Sequence, residues 1–381
     1  MNFELTEQQL AIKETARKFA EEELLPGVIE RDEASEFPVD LYHKAGELGL
    51  IGLPYPKEVG GQGLGYMEYA LAVEEVSKVD ASFGISYSVS TSLYGGSVWN
   101  SAADDETKKK FMEEVCKGQV HGSFGLTEPN AGSDAGGCIT TAVKDGDEYV
   151  INGLKCFNTN GPLARYSAVY ALVEPEKKAK GLACFIVDIK NTPGVRVGKI
   201  ENKMGIRAAQ VSELIFEDCR VPAANKITAD GDGFKLAMQT LDCGRIGVAA
   251  QGLGIAEGAF ERAVAYMKER EQFGKPIATN QYLQFKMADL AVKIEAAKYV
   301  LYKAAMDHDT GKPFSQSAAK AKYICTNTAM EVTEWAVQFM GGNGYMREYH
   351  VERMMRDAKI TQIYEGTNQI QQLIVGGALF R

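Results

Sequence analysis

What this chain has little of narrows what it can be. Histidine is scarce, with four residues and none spaced i, i+4, so a histidine-based metal site has no support. The seven cysteines (Cys116, Cys138, Cys156, Cys184, Cys219, Cys243 and Cys325) are odd in number and form no C-x-x-C pair. That argues against a zinc site or a disulfide framework and suits a reducing compartment. No stretch approaches the roughly 18 apolar residues of a membrane-spanning helix. The opening Met1-Asn2-Phe3-Glu4 carries neither the basic nor the apolar part of an export signal, so a cytoplasmic protein is expected. A basic surplus is also missing: 42 Lys and Arg against 51 Asp and Glu give a net charge of -9. Nonspecific binding to nucleic acid or anionic lipid is thereby disfavoured, though a local Arg or a helix N-terminus can still hold a polyanionic small ligand. The Gly-rich run Gly60-Gly61-Gln62-Gly63-Leu64-Gly65 lacks the G-x-G-x-x-G spacing and a preceding strand, and reads as a loop.

What is present is a chain of 381 residues, 45% hydrophobic and 24% charged, enough for two or three domains with a sizeable core. Thr6-Glu7-Gln8-Gln9 is a capping-box pattern. Helical signals follow at 39–48, 67–78, 82–100 and 107–116. Near His121 the pattern changes. A hairpin is predicted around Asp145-Gly146, and short β-rich runs follow at 168–173, 182–189, 195–200 and 211–216. From Phe234 the chain is helical again. Met287, Leu290, Ala291, Ile294, Ala297, Leu301 and Ala305 form one apolar stripe; Ala321, Cys325, Ala329, Val332, Ala336 and Phe339 form a second. Gly311-Lys312-Pro313 separates them, and Gly252, Gly254 and Gly258 signal close helix packing. The expected fold is α+β in three parts: an N-terminal helical domain (1–121), a small middle β-domain of barrel or sandwich type (122–228), and a C-terminal four-helix-bundle-like domain (229–381).

The C-terminal stretch 356–370 holds the main candidate. A helical pattern ends at Tyr364-Glu365-Gly366, and Thr367 or Asn368 can cap the next helix. Glu365 thus stands at a helix-to-helix joint. Tyr364 and Ile363 make an apolar approach, and Gly366 leaves the carboxylate accessible. A Glu among apolar groups has a raised pKa and becomes a usable base near neutrality; the plain alternative is a surface carboxylate beside a capped turn. Other loops read two ways as well. Phe124-Gly125-Leu126-Thr127-Glu128-Pro129-Asn130-Ala131-Gly132-Ser133 can wrap an anionic or heteroaromatic ligand, or is simply a turn. Asp242 and Arg245, three apart on a helix, can be an exposed ion pair.

Together, Ile363-Tyr364-Glu365-Gly366-Thr367-Asn368-Gln369-Ile370-Gln371, the 124–134 loop and Lys155-Cys156-Phe157-Asn158-Thr159-Asn160-Gly161 resemble the acyl-CoA dehydrogenase family, in particular its short-chain branch. The resemblance runs from Leu5 to Arg381. It implies FAD as cofactor, held by Phe124, Leu126, Thr127, Gly132, Ser133, Phe157 and Thr159 in the middle domain and by Thr367 and Gln369 beside the base. Many members carry Trp at the place of Phe157, and Asn158 replaces a usual aliphatic residue. Arg270, Phe273 and Gln281 resemble an arm that reaches the FAD of a neighbouring subunit, where Gln338 and Gly342 belong to the adenosine half. Asp242, Arg245, Ser133, Tyr364 and Gly366 fall at the acyl-CoA site. Some relatives carry the catalytic Glu at the place of Gly244, which leaves Glu365 as the matching base here.

The activity implied is α,β-dehydrogenation of a short acyl-CoA to the 2-enoyl-CoA: Glu365 removes the α-proton, its backbone N–H helps polarise the thioester carbonyl, and electrons pass to an electron-transferring flavoprotein. A homo-oligomer, by resemblance a tetramer, is expected. Gly95 and Gly96 lie where the floor of the acyl pocket forms; either they widen it for a branched or cyclic chain or they serve helix packing. An enoyl-CoA reductase, an acyl-CoA oxidase and a non-catalytic helical assembly protein are the alternatives.

Overall fold

The computed structural model describes residues 4–380, so the expected leaderless start at Met1–Phe3 and the final Arg381 lie outside it. The first helices are α1 (Glu7–Phe19), α2 (Val28–Ala34), α3 (Val39–Glu47), α4 (Tyr66–Ser77), α5 (Ala81–Ser88), α6 (Gly96–Trp99) and α7 (Asp105–Cys116). Thr6 caps α1 in the predicted capping box, its hydroxyl accepting the Gln9 N–H while the Gln9 amide accepts the Thr6 N–H. Every residue of α4 and α5 is buried, so these are helices enclosed on all sides. Between α5 and α6 the chain runs through a π-helical turn, Val89–Gly95. Such a turn re-aims side chains within an otherwise continuous helix.

The middle of the chain forms one curled seven-stranded sheet: β1 (His121–Gly125), β2 (Thr141–Asp145), β3 (Glu148–Thr159), β4 (Ala164–Leu172), β5 (Leu182–Asp188), β6 (Val195–Ile200) and β7 (Val211–Pro222), in the order β1-β4-β2-β3-β7-β6, with β5 also on β4. The β2–β3 hairpin pairs Asp145 with Glu148, so its turn is Gly146-Asp147, with Gly146 at φ +61°, one residue later than the sequence suggested. β1 was not anticipated; it lies parallel to β4. Ile151, Val169, Phe185, Leu214 and Phe216 fill one side of the sheet, and Tyr170, Cys184 and Leu236 belong to the core on the other.

The remaining helices are α8 (Gly233–Glu269), α9 (Gln281–Asp309), α10 (Ser315–Met340), α11 (Val351–Thr361) and α12 (Asn368–Leu379), with a short hairpin of β8 (Glu271–Gln272) and β9 (Lys275–Pro276) between α8 and α9. At about 1.5 Å per residue α8 extends roughly 55 Å. It lies against α4 and the loop that follows because Gly254 and Gly258 have no side chain there: a β-carbon would meet the Glu74 carbonyl oxygen at 2.2 Å and that of Lys78 at 2.3 Å. The expected stripe of α9 is partly wrong. Leu290, Ile294, Ala297 and Leu301 are buried, but Ala291 is exposed, because α9 covers the bundle with one narrow side and leaves Tyr282, Phe285 and Val292 outside.

The bundle interior holds charge as well as apolar groups. Buried Glu74, Glu75 and Glu257 come within ligand distance of one another, and Lys13, Lys78 and Lys298 pair with them at 2.5–3.1 Å. The network extends further, to Glu261 at 3.6 Å from Lys78 and to the Tyr302 hydroxyl, which donates to Glu74.

Candidate active site

The loop from α11 to α12 makes its inward turn with two successive left-handed residues, Glu365 at φ +52° and Gly366 at φ +90°. Gly adopts this conformation freely; for Glu it is strained and persists only where the surroundings fix it. Thr367, not Asn368, caps α12, its hydroxyl accepting the Ile370 N–H at 3.3 Å. The Glu365 side chain runs inward against Gly244 of α8, with Leu93 of the π-helical turn alongside. Both carboxylate oxygens are enclosed and without a hydrogen-bond partner among the described residues. Burial pushes this carboxyl up to about 7, opposed by Lys322 and Arg245. The surface-carboxylate reading is thereby excluded. Tyr364 donates its hydroxyl to Gln251 Oε1, which fixes the approach to the turn.

Arg245 is 5% exposed, so its pairing with Asp242 is no surface bridge. The Asp242 carboxyl is raised by burial, with Arg245 and a 3.0 Å hydrogen bond from Ser315 pulling it back. A buried guanidinium one residue from Gly244 supplies fixed positive charge that acts on the Glu365 carboxylate.

In the middle domain the two predicted flavin segments are tied together. The Cys156 N–H donates to the Thr127 carbonyl at 2.9 Å. Lys155 Nζ lies 2.6 Å from Glu128 and donates to the Leu126 carbonyl at 3.1 Å, while Glu128 also accepts the Ile139 and Thr140 N–H groups. Lys155 and Glu128 are 0% and 4% exposed, so the loop 126–131 is held on β3 by an enclosed ion pair. β3 bulges between Lys155 and Asn158, and there Phe157 stands 66% exposed at φ +56° beside half-buried Thr159. Asn158 is buried and gives its amide N–H groups to the Lys155 and Ser212 carbonyls, so its polarity serves the bulge.

Not every predicted cofactor residue presents its side chain. Leu126 is 5% exposed within the core, which leaves only its backbone for a ligand, and Phe124 is half-buried against Tyr170. Gly132 and Ser133 are exposed. Arg270, Phe273, Gln338 and Gly342 come together around a cavity of about 870 Å³ that Tyr266, Trp335 and Phe339 also line. Gln281 is absent from that lining, where Tyr282 and Leu283 stand instead. Gln369 faces a separate groove with Gln372 and Leu373. The larger cavity is therefore not at Glu365: none of Thr127, Phe157, Thr159 or Glu365 lines it. Sequence reasoning missed Lys322 and Gln251, and gave Leu93, Glu128 and Lys155 no role of their own within the segments it marked. For Lys322 a signal existed, since a lysine interrupts the small-residue face of Ala318, Ala321 and Cys325.

Residues 6–119, 123–219 and 231–380 match, in that order, the families described as acyl-CoA dehydrogenase N-terminal, middle and C-terminal domain. The chain belongs to the acyl-CoA dehydrogenase family, FAD-dependent enzymes that oxidise the CH–CH bond of acyl-CoA. It is 49% identical, over all of both chains, to a short-chain specific acyl-CoA dehydrogenase of Clostridium acetobutylicum. Among solved structures it matches butyryl-CoA dehydrogenase from Megasphaera elsdenii with a TM-score of 0.98 at 46% identity over all of both chains. A chain from a structure reported for the electron transferring flavoprotein of Acidaminococcus fermentans also matches at TM-score 0.98, with 51% identity and full coverage of both.

The residues present fit FAD. An exposed aromatic is held by strained backbone beside a hydroxyl, and an open cavity offers a guanidinium suited to a pyrophosphate with aromatic walls for a purine.

Proposed function

We propose that this enzyme removes the α- and β-hydrogens of a short, linear acyl-CoA, with Glu365 as the base. The observation that carries the reading is the enclosed, unpartnered Glu365 carboxylate, raised to about 7. A carboxyl so placed is ionised in part at neutral pH and basic enough to take a proton from the carbon next to a thioester carbonyl. The Glu365 N–H makes no backbone hydrogen bond among the described residues and is available to the carbonyl oxygen. Arg245 and Asp242 set the field at the pocket wall, and Tyr364 and Gly366 shape its entrance. FAD, when bound, supplies the acceptor for the β-hydrogen. Thr127, Ser133, Phe157 and Thr159, with the Leu126 backbone, would hold its ring side, Thr367 and Gln369 its flank beside the base, while Arg270, Phe273, Gln338 and Gly342 would hold the adenosine side of the FAD of a neighbouring subunit.

A linear acyl chain is favoured because the room left by Gly95 is filled. A β-carbon there would stand 2.8 Å from Tyr55 Cε2, and Tyr55 is anchored by donating to the Thr91 carbonyl at 2.6 Å. Gly95 admits the Tyr55 ring rather than opening a void, while Gly96 makes only ordinary contacts. That Gly95, Tyr55 and Leu93 crowd the floor also accords with the short-chain relative.

Electron delivery to an electron-transferring flavoprotein is supported by the relative from Acidaminococcus. Assembly into a homotetramer is supported by the uncovered Tyr282, Phe285 and Val292 on α9. A cytoplasmic site is supported by seven free, buried cysteines; among the described residues no helix is long and apolar enough to cross a membrane. The division 1–121, 122–228 and 229–381 is supported by the three matched stretches. The test is direct: purified protein is expected to be yellow and to bleach anaerobically on adding butyryl-CoA. Colourless protein that no added FAD reconstitutes, or yellow protein that no short acyl-CoA bleaches, removes the reading.

A further inference from the structure

Lys322 of α10 is 0% exposed. Its ammonium donates to the Gly366 carbonyl at 2.9 Å and to Asn368 Oδ1 at 3.0 Å, both on the segment that carries Glu365. Both acceptors are neutral. A buried cation with only neutral partners is unfavourable unless an anion is near, and the anion here is Glu365: Lys322 is its leading countercharge, ahead of Arg245. Arg245 is already committed to Asp242, whereas Lys322 has no such carboxylate partner among the described residues. The other titratable groups that sense Glu365 are Cys243 of α8, Tyr69 of α4 and Tyr364 of the loop itself, all raised by burial and therefore neutral near pH 7.

We propose that Lys322 is a positioning residue for the base: it anchors the Glu365 turn through Gly366 and Asn368 and supplies the enclosed countercharge of the Glu365 carboxylate. The inference rests on Glu365 being the base. Two structural facts beyond charge support it. Gln371 of α12 donates to the same Gly366 carbonyl at 2.8 Å, so the turn is gripped from two helices. Thr326, one helical turn beyond Lys322, shares Asn368 with it, the hydroxyl donating to Oδ1 at 3.2 Å. Burial draws the Lys322 ammonium down to about 7, with the Glu365 carboxylate opposing.

The experiment uses the holoenzyme with butyryl-CoA and the variants Lys322→Gln, Lys322→Met and Lys322→Arg. Two readouts are followed against pH: the rate of single-turnover bleaching, and the infrared band of the protonated carboxyl that is absent from Glu365→Gln. In Lys322→Gln the acid limb and the band are expected to move up by about one pH unit. Turnover then falls several-fold at pH 7 and returns toward wild type near about pH 9, with KM little changed. Lys322→Arg restores the charge and moves the limb back. A uniform loss at every pH, with the band unmoved, overturns the proposal and leaves Lys322 merely structural. Should the neutral variants not fold, Glu365→Gln gives the reciprocal reading: the carbon-13 signal of Lys322 must titrate lower than in wild type, and an unchanged titration overturns the proposal. Wild-type turnover in Glu365→Gln defeats the base assignment instead, a separate outcome.

Discussion

Glu365 occupies the room that Gly244 leaves free: a β-carbon on residue 244 would stand 2.0 Å from Glu365 Oε2 and 2.7 Å from Leu93 Cδ2. The two positions compete for one space, so glycine at 244 and glutamate at 365 are a matched choice. Gly244→Ala is expected to push the carboxylate aside. A displacement of about 1 Å at a reacting group lowers turnover by roughly 10²-fold, while overpacking destabilises by about 1–3 kcal/mol. Steady-state kinetics and thermal denaturation of the same preparation separate the two effects.

Glu365→Gln keeps the shape of the side chain and removes its basicity. Turnover on butyryl-CoA should fall by about 10² to 10⁴ while the flavin absorbance of the purified protein stays at the wild-type ratio. A coincident loss of flavin would mean the substitution had disturbed the turn rather than the chemistry.

The pH dependence has a definite sign. The Glu365 carboxyl is raised from its ordinary 4.5 to about 7 because burial disfavours its charge. Its contribution to stability is therefore complete below about pH 4.5 and is lost as pH rises through about 7. With Glu365 as the proposed base, activity runs the other way, since only its carboxylate takes a proton, and kcat/KM should show an acid limb near pH 7. Glu365→Gln is expected to raise the melting temperature more at pH 8 than at pH 5, which differential scanning calorimetry at the two values checks.

At Gly95 the side chain is missing for packing. Gly95→Ala should destabilise by about 1–3 kcal/mol, because the Tyr55 ring lies in the way and cannot yield without losing its hydrogen bond to Thr91. Wild-type enzyme should show a higher kcat/KM for butyryl-CoA than for a cyclic acyl-CoA. A preference for the cyclic substrate would show that this ring does not limit the pocket.

Much of this was legible in local sequence. The capping box at Thr6, the Thr367 cap, the hairpin near Asp145-Gly146 and the joint at Glu365 all follow from signals a few residues long. What was not legible depends on partners distant in the chain. Glu128 and Lys155 are 27 residues apart and meet only because β3 returns beneath the loop. Tyr55 reaches Gly95 from 40 positions away, and no local pattern foretells that its ring takes the place of a side chain. The burial of Arg245 likewise follows from the packing of α8 rather than from its spacing to Asp242. Ala291 failed for the converse reason: periodicity shows which residues share a side of a helix, but not how wide a side the bundle needs.

The cavity around Arg270 and Phe273 opens beside the uncovered aromatic side of α9, with Tyr282 belonging to both. On the proposed placement of FAD, a neighbour that covers that side in solution also closes over the nucleotide end of the cofactor. Dilution should then strip colour and subunits in step, and a preparation assayed at nanomolar concentration without added FAD would lose activity for want of neighbours, its base and its pocket wall still intact.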